Sequence, residues 1–270
     1  MQKSALWLLG AALVVVVAAG FVAYTQFFPD GAPLQEQGTG PCPETKYEQG
    51  LLDNSTAIVS AYFIAADGER FGPYRGLGFV EGQYVVTAAH IINQDFEQEI
   101  VRREIFLERF LHSERTSRTS ISRIAYENQA VDFALLEMPQ ELQRDGRETF
   151  GLAQRSDVSY GETVCFYLHP FSGKLDKTIE GTVSRFPPPY GAEAWFGFKI
   201  EAVLAHIVPG ASGGPAFIRT PEGLKIAGII RRMVFDPESK TTTIQLQATD
   251  ATYAAGEILR KTGIDISRGR

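Results

Sequence analysis

Three short stretches carry residue types that can do chemistry together. Gly210-Ala211-Ser212-Gly213-Gly214-Pro215 sets a serine among small residues, where the backbone can turn sharply and a substrate carbonyl can approach closely. An alcohol is a weak nucleophile until a base removes its proton. The chain has four histidines, His90, His112, His169 and His206, and His90 closes the apolar β-type run that begins at Tyr84. Asp132 opens a second such run, Phe133-Ala134-Leu135-Leu136. A serine, a histidine to take its proton and a carboxylate to orient the imidazole are the parts of an acyl-transfer site.

The order of the three residues separates the possible scaffolds. The G-x-S-x-G turn of α/β-hydrolases places its histidine after the serine, and no histidine follows Ser212. The subtilisin order needs an acid ahead of the histidine; Asp53 and Asp67 precede His90 but lack a matching context. Only the order His90, Asp132, Ser212, with gaps of 42 and 80 residues, uses all three stretches. Thr87-Ala88-Ala89-His90, Asp132-Phe133-Ala134-Leu135-Leu136 and Gly210-Ala211-Ser212-Gly213-Gly214-Pro215 resemble the signature blocks of chymotrypsin/trypsin-like serine proteases. The resemblance covers roughly residues 52 to 262. It implies an all-β domain of two six-stranded Greek-key barrels with the site in the cleft between them, and a serine endopeptidase working through an acyl-enzyme.

Carried over residue by residue, the resemblance makes Ser212 the nucleophile, His90 the general base and Asp132 its orienting acid. It also makes the backbone N–H groups of Gly210 and Ser212 the oxyanion donors. His206, six residues before the serine, falls at the base of the primary pocket, and the strand carrying Ile230 and Arg231 forms the pocket wall. A basic pocket of this kind would favour an acidic residue before the cleaved bond. Two departures stand out. Ala211 replaces the acid that pairs with a new N-terminus in animal trypsins, and Ile91 replaces a cysteine. Both features look more like the exported bacterial high-temperature-requirement proteases, here without room for a PDZ domain. The alternative reading is a protease-like binding or sensor module that is catalytically silent or gated by a partner.

The remaining composition sets the surroundings. A net charge of −6 and a pI near 5.4 imply no nucleic-acid surface. The few His and Cys show no metal-ligand spacing, and no cofactor is called for. Ala5 to Tyr24 is uncharged, and a helix of this length matches the roughly 30 Å of bilayer hydrocarbon. Lys3 precedes it and no Lys or Arg follows until Lys46, which predicts a cytoplasmic N-terminus and a periplasmic or extracellular body. The alternative is a signal peptide, cleaved near Ala18-Ala19-Gly20, with a secreted product. In an oxidising compartment Cys42 and Cys165 either pair or stand as two separate thiols. The expected partners are a peptide substrate and the membrane; the oligomeric state is not read from the sequence.

The expected organisation is a membrane anchor over residues 1–27, a flexible linker over 28–50, a first barrel over 51–149 and a second barrel with a C-terminal helix over 150–270. The linker is rich in Pro, Gly and Gln. First-lobe strands are expected at 57–64, 76–80, 84–90, 99–110, 119–125 and 132–138. Those of the second lobe are expected at 163–168, 177–185, 194–200, 214–219, 224–233 and 241–248. Gly76-Leu77-Gly78 has the wrong spacing for a nucleotide loop and reads as strand glycines. Asp250 can cap a helix over 251–261, with Gly263 as its stop.

Overall fold

Apolar runs such as Ala57-Ile58-Val59 or Val164-Cys165-Phe166 are longer than a strand with one wet face needs. The computed structural model gives the reason: alternate residues enter two different cores. It describes residues 39–110, 118–143, 148–168, 177–184, 197–203, 211–234 and 243–267. In β1 (Thr56–Ala65), Ala57, Val59, Ala61 and Phe63 fill one core, while Ile58 between them enters another. In β7 (Phe133–Glu137) Ala134 and Leu136 join the first set, and Phe133 and Leu135 the second. β8 (Thr163–Leu168) divides likewise, with Val164 and Phe166 in a third core and Cys165 and Tyr167 in the shared one. Each lobe thus has its own interior, and a common apolar layer lies between them. Period-two patterning with both faces buried reads in sequence as a continuous apolar stretch.

The first lobe adds β2 (Arg70–Glu81), β3 (Tyr84–Thr87), β4 (Ile100–Phe110), β5 (Thr119–Ile121) and β6 (Ile124–Asn128). They form one seven-stranded antiparallel sheet in the order β5-β4-β1-β2-β3-β7-β6. This corrects the expected closed six-stranded barrel. The segment expected as one strand over 119–125 breaks at Ser122-Arg123, so β5 pairs with β4 while β6 pairs with β7. The two sheet edges are therefore joined by only two residues, a reach of about 10 Å. The sheet curls almost shut without a ladder across that gap.

The second lobe is a closed six-stranded barrel. Its strands are β8, β9 (Lys177–Ser184), β10 (Gly197–Val203), β11 (Pro215–Thr220), β12 (Gly223–Val234) and β13 (Thr243–Asp250), in the order β10-β13-β12-β11-β8-β9. The pairing of β9 with β10 completes the ring. The C-terminal helix lies one residue from its expected end, at Ala251–Thr262. The Asp250 side chain accepts the Tyr253 N–H, and Gly263 closes the helix in the left-handed region. Ala251, Ala254, Ala255 and Ile258 enter the shared apolar layer.

The flexible tether expected over 28–50 gives way to structure within its C-terminal part. Residues Lys46–Ser55 form α1, capped by Thr45 in a reciprocal box with Glu48, and Leu52 is fully buried in the shared layer. Arg219 of β11 explains why this segment docks. Its guanidinium pairs with Glu48 and donates to the carbonyls of Gly40 (2.8 Å) and Cys42 (3.1 Å). Burial alone would raise the Glu48 carboxyl, but Arg219 and the N–H groups of Glu44 and Thr45 outweigh it and hold the group below its ordinary value. Cys42 and Cys165 form a disulfide that ties the same segment to β8.

The expected membrane anchor, Ala5 to Tyr24, lies outside the described residues. Among the described residues no helix is long and apolar enough to cross a membrane.

Glu81 is a buried acid at the end of β2, and burial pushes its carboxyl up to about 7 against the opposing pull of the Thr149 hydroxyl and Lys225. The folded protein therefore holds a proton that the unfolded chain releases near the ordinary glutamate value of 4.5. Stability should fall as pH rises from about 4.5 to 7 and then level off, by about 3 kcal/mol in all. Unfolding of Glu81→Gln at a series of pH values should lack this slope; an unchanged slope would contradict the assignment.

Candidate active site

β3 and β7 are antiparallel neighbours, with Thr87 opposite Ala134. The end of one strand therefore lies beside the start of the other, which brings His90 and Asp132 together across 42 residues of chain. His90 follows β3 on a single helical turn, α2 (Ala89–Ile92). The Asp132 carboxylate grips it twice: Oδ1 accepts the His90 backbone N–H at 2.9 Å, and Oδ2 lies 2.8 Å from Nδ1. An ionised carboxylate can only accept, so Nδ1 carries the proton and Nε2 is left as the acceptor. Asp132 has φ +58°, a left-handed conformation that costs a non-glycine residue strain and persists where its surroundings hold it. Here the two His90 contacts hold it. The Asp132 side chain is 11 % exposed, whereas that of His90 is 39 % exposed and reachable from solvent.

Ser212 is supplied by the other lobe and fixed by its backbone. Its carbonyl accepts the Leu77 N–H of β2 at 2.7 Å, which joins the two lobes at this residue. The next residues lock onto β12: the Gly213 N–H donates to Ile230 O at 2.7 Å, and the Ile230 N–H donates to Gly214 O at 2.9 Å. Gly213 has φ +80°, and a Cβ there would strike the Leu77 carbonyl and the Thr87 hydroxyl and lie 2.9 Å from Ala88 N. Gly76, opposite, leaves no room for a Cβ against Ile91 and the Ser212 carbonyl. Of the pair Gly76 and Gly78, Gly76 serves this close packing between lobes, while a Cβ on Gly78 would strike Val85, Val86 and Val59 within the first sheet. Gly213→Ala should cost more than about 3 kcal/mol, from backbone strain plus collision, read by denaturant unfolding. A loss under about 1 kcal/mol would contradict this packing.

His90, Asp132 and Ser212 line one open cleft of about 400 Å³, with Asn93, Asp95, Gln129 and Arg231. The Ser212 hydroxyl donates to the Arg231 carbonyl at 3.2 Å. A rotation about the serine Cα–Cβ bond is the motion that would turn it toward the imidazole. The floor beneath His90 is polar and braced: Glu127 of β6 accepts from Asn93 and Gln129 and pairs with Arg103 at 3.0 Å. These braces carry no motif in the sequence, since each depends on strand register.

Two expected pocket residues turn out to have other surroundings. Ile230 is buried, its side chain lies in the second-barrel core, and its N–H and C=O are both engaged by the Gly213-Gly214 turn. It supports the serine from behind, which corrects its reading as a substrate-facing residue. Arg231 turns its side chain to the His90–Asp132 pair, with Nε 3.7 Å from Asp132 Oδ2. Gly210 and His206 lie outside the described residues.

Comparison with known proteins bears on the fold and the family. The family model for a trypsin-like peptidase domain matches residues 76–223. A search of curated proteins finds no match. Among solved structures, the HtrA-type protease AlgW with tripeptide aligns with TM-score 0.52 and 15% identity, covering 81% of this chain and 65% of that one. A variant of AlgW, also with tripeptide, aligns with TM-score 0.54 and 14% identity over 79% and 62% of the two chains. At that identity the likeness is one of fold, and this chain spans somewhat less than two thirds of the AlgW chains. With the model matched over more than half its length, the chain belongs to the trypsin-like peptidase domain family.

Proposed function

We propose that this protein is a membrane-tethered, exported serine endopeptidase acting through Ser212, His90 and Asp132. The observation that carries the reading is the doubly held His90–Asp132 pair in one cleft with Ser212. The Ser212 hydroxyl would attack the scissile carbonyl carbon as its proton passes to His90 Nε2. Asp132, bonded to Nδ1, stabilises the imidazolium that forms. The oxyanion would accept the N–H groups of Ser212 and Gly210. Collapse expels the amine, which takes the proton from His90, and leaves Ser212 acylated. Water then attacks the acyl carbon with one proton going to His90. The adduct collapses by breaking the Ser212 Oγ–C bond, His90 returns that proton to Oγ, and the carboxyl product departs. Tethering and export are supported by the uncharged run from Ala5 to Tyr24 and the charge asymmetry around it.

A preference for an acidic residue before the cleaved bond rests on His206 alone, because the Arg231 guanidinium is engaged at Asp132. Peptides differing only at that residue test both parts with the full-length protein in detergent. Cleavage should be strongest after Glu or Asp and should vanish in His90→Ala. Cleavage that survives His90→Ala would overturn the mechanism, and equal cleavage after Leu would overturn the preference.

One observation favours a second reading, a partner-gated site: the Ser212 hydroxyl bonds the Arg231 carbonyl. That reading predicts hydrolysis only when a second peptide is added.

A further inference from the structure

We propose that Arg231 is a positioning residue: a β-bulge turns its guanidinium onto Asp132, and through Asp132 it sets the orientation of His90. The inference rests on the peptidase reading above. Pairing between β12 and β13 is regular up to Ile230 opposite Ala248 and resumes with Arg232 opposite Gln247. Arg231 is the extra residue. A bulge bends its strand and re-aims the side chain that occupies it. Here two groups of one residue reach the site from it. The carbonyl accepts the Ser212 hydroxyl at 3.2 Å, and the guanidinium reaches Asp132, with Nε 3.7 Å from Oδ2.

The target is a carboxylate that needs such a neighbour. Asp132 is buried and already shares both oxygens with His90. A buried charge is tolerated when it is paired and bonded from several sides. Arg231 supplies a positive charge that is permanent at any working pH, whereas a histidine's charge depends on its protonation. It also reaches the backbone of the turn, with Nη2 3.5 Å from Ala130 O. From the neighbouring strand the Thr249 hydroxyl donates to Val131 O at 2.5 Å. The 130–132 turn belongs to the first lobe by sequence, yet two side chains of the second barrel hold it. The barrel that carries Ser212 thereby fixes the acid that orients its base.

Charge and geometry make separable predictions in Arg231→Met and Arg231→Lys, prepared as full chains in detergent. The readouts are kcat and KM on one peptide and the low-field proton NMR resonance of the His90 Nδ1–H. In Arg231→Met, kcat should fall about tenfold to a hundredfold, KM should stay within about twofold, and the resonance should move or disappear. Arg231→Lys should restore most of kcat and the resonance. An unmoved resonance with unchanged kcat in Arg231→Met would overturn the proposal. So would a rise in KM alone, which marks a substrate contact, or a lysine variant no better than methionine. Should Arg231→Met not fold, Arg231→Gln takes its place with the same expectations. The resonance is read without substrate, so an inactive parent protein would sink the peptidase reading while this inference still stands or falls on its own signal.

Discussion

Ser212→Ala is expected to lower turnover by about 10⁶-fold with little change in KM, because nucleophile and base act as one unit. The variant should fold normally. The Ser212 carbonyl and the neighbouring amides, not its hydroxyl, make the contacts with Leu77 and β12. The residual rate would come from binding and from backbone donors alone. Peptide hydrolysis by matched preparations measures it. A loss below about tenfold would mean that the bond is broken by some other group.

Cys42→Ser is expected to cost about 4–5 kcal/mol in the chain-entropy view, since the bridge to Cys165 closes a loop of 123 residues. Thermal unfolding should show a fall of about 10–15 °C, and reductant should reproduce it in the parent protein but not in the variant. The bridge works beside Arg219, Glu48 and Leu52, which dock the same segment without it. An unchanged midpoint would mean that these contacts hold residues 39–55 in place even in the unfolded ensemble's compact states. The stabilising role assigned to the bridge would then be wrong.

The three blocks around His90, Asp132 and Ser212 were readable because each joins a chemically special residue to a local pattern. An apolar strand ends at His90, another begins at Asp132, and small residues surround Ser212. The C-terminal helix was readable for the same reason: Asp250 and Gly263 are local start and stop signals. What the sequence concealed depends on register and on distant partners. Thr119 to Ala125 has the composition of one strand, and nothing local announces the break at Ser122-Arg123 that leaves the first sheet unclosed. Residues 40–50 read as the tail of the linker expected over 28–50 because their docking partners, Cys165 for Cys42 and Arg219 for Gly40, Cys42 and Glu48, lie more than a hundred residues away. The family resemblance places Arg231 and Ile230 together on a pocket wall. One bulged residue is enough to send their side chains elsewhere.

The central claim is that the Ser212 hydroxyl becomes a nucleophile by giving its proton to His90. An active-site-directed peptidyl phosphonate followed by peptide mass mapping tests it most directly. The account predicts one covalent adduct, on Ser212, lost in Ser212→Ala and formed far more slowly in His90→Ala. No adduct, an adduct on another residue, or labelling of Ser212 at an equal rate without His90 would contradict it.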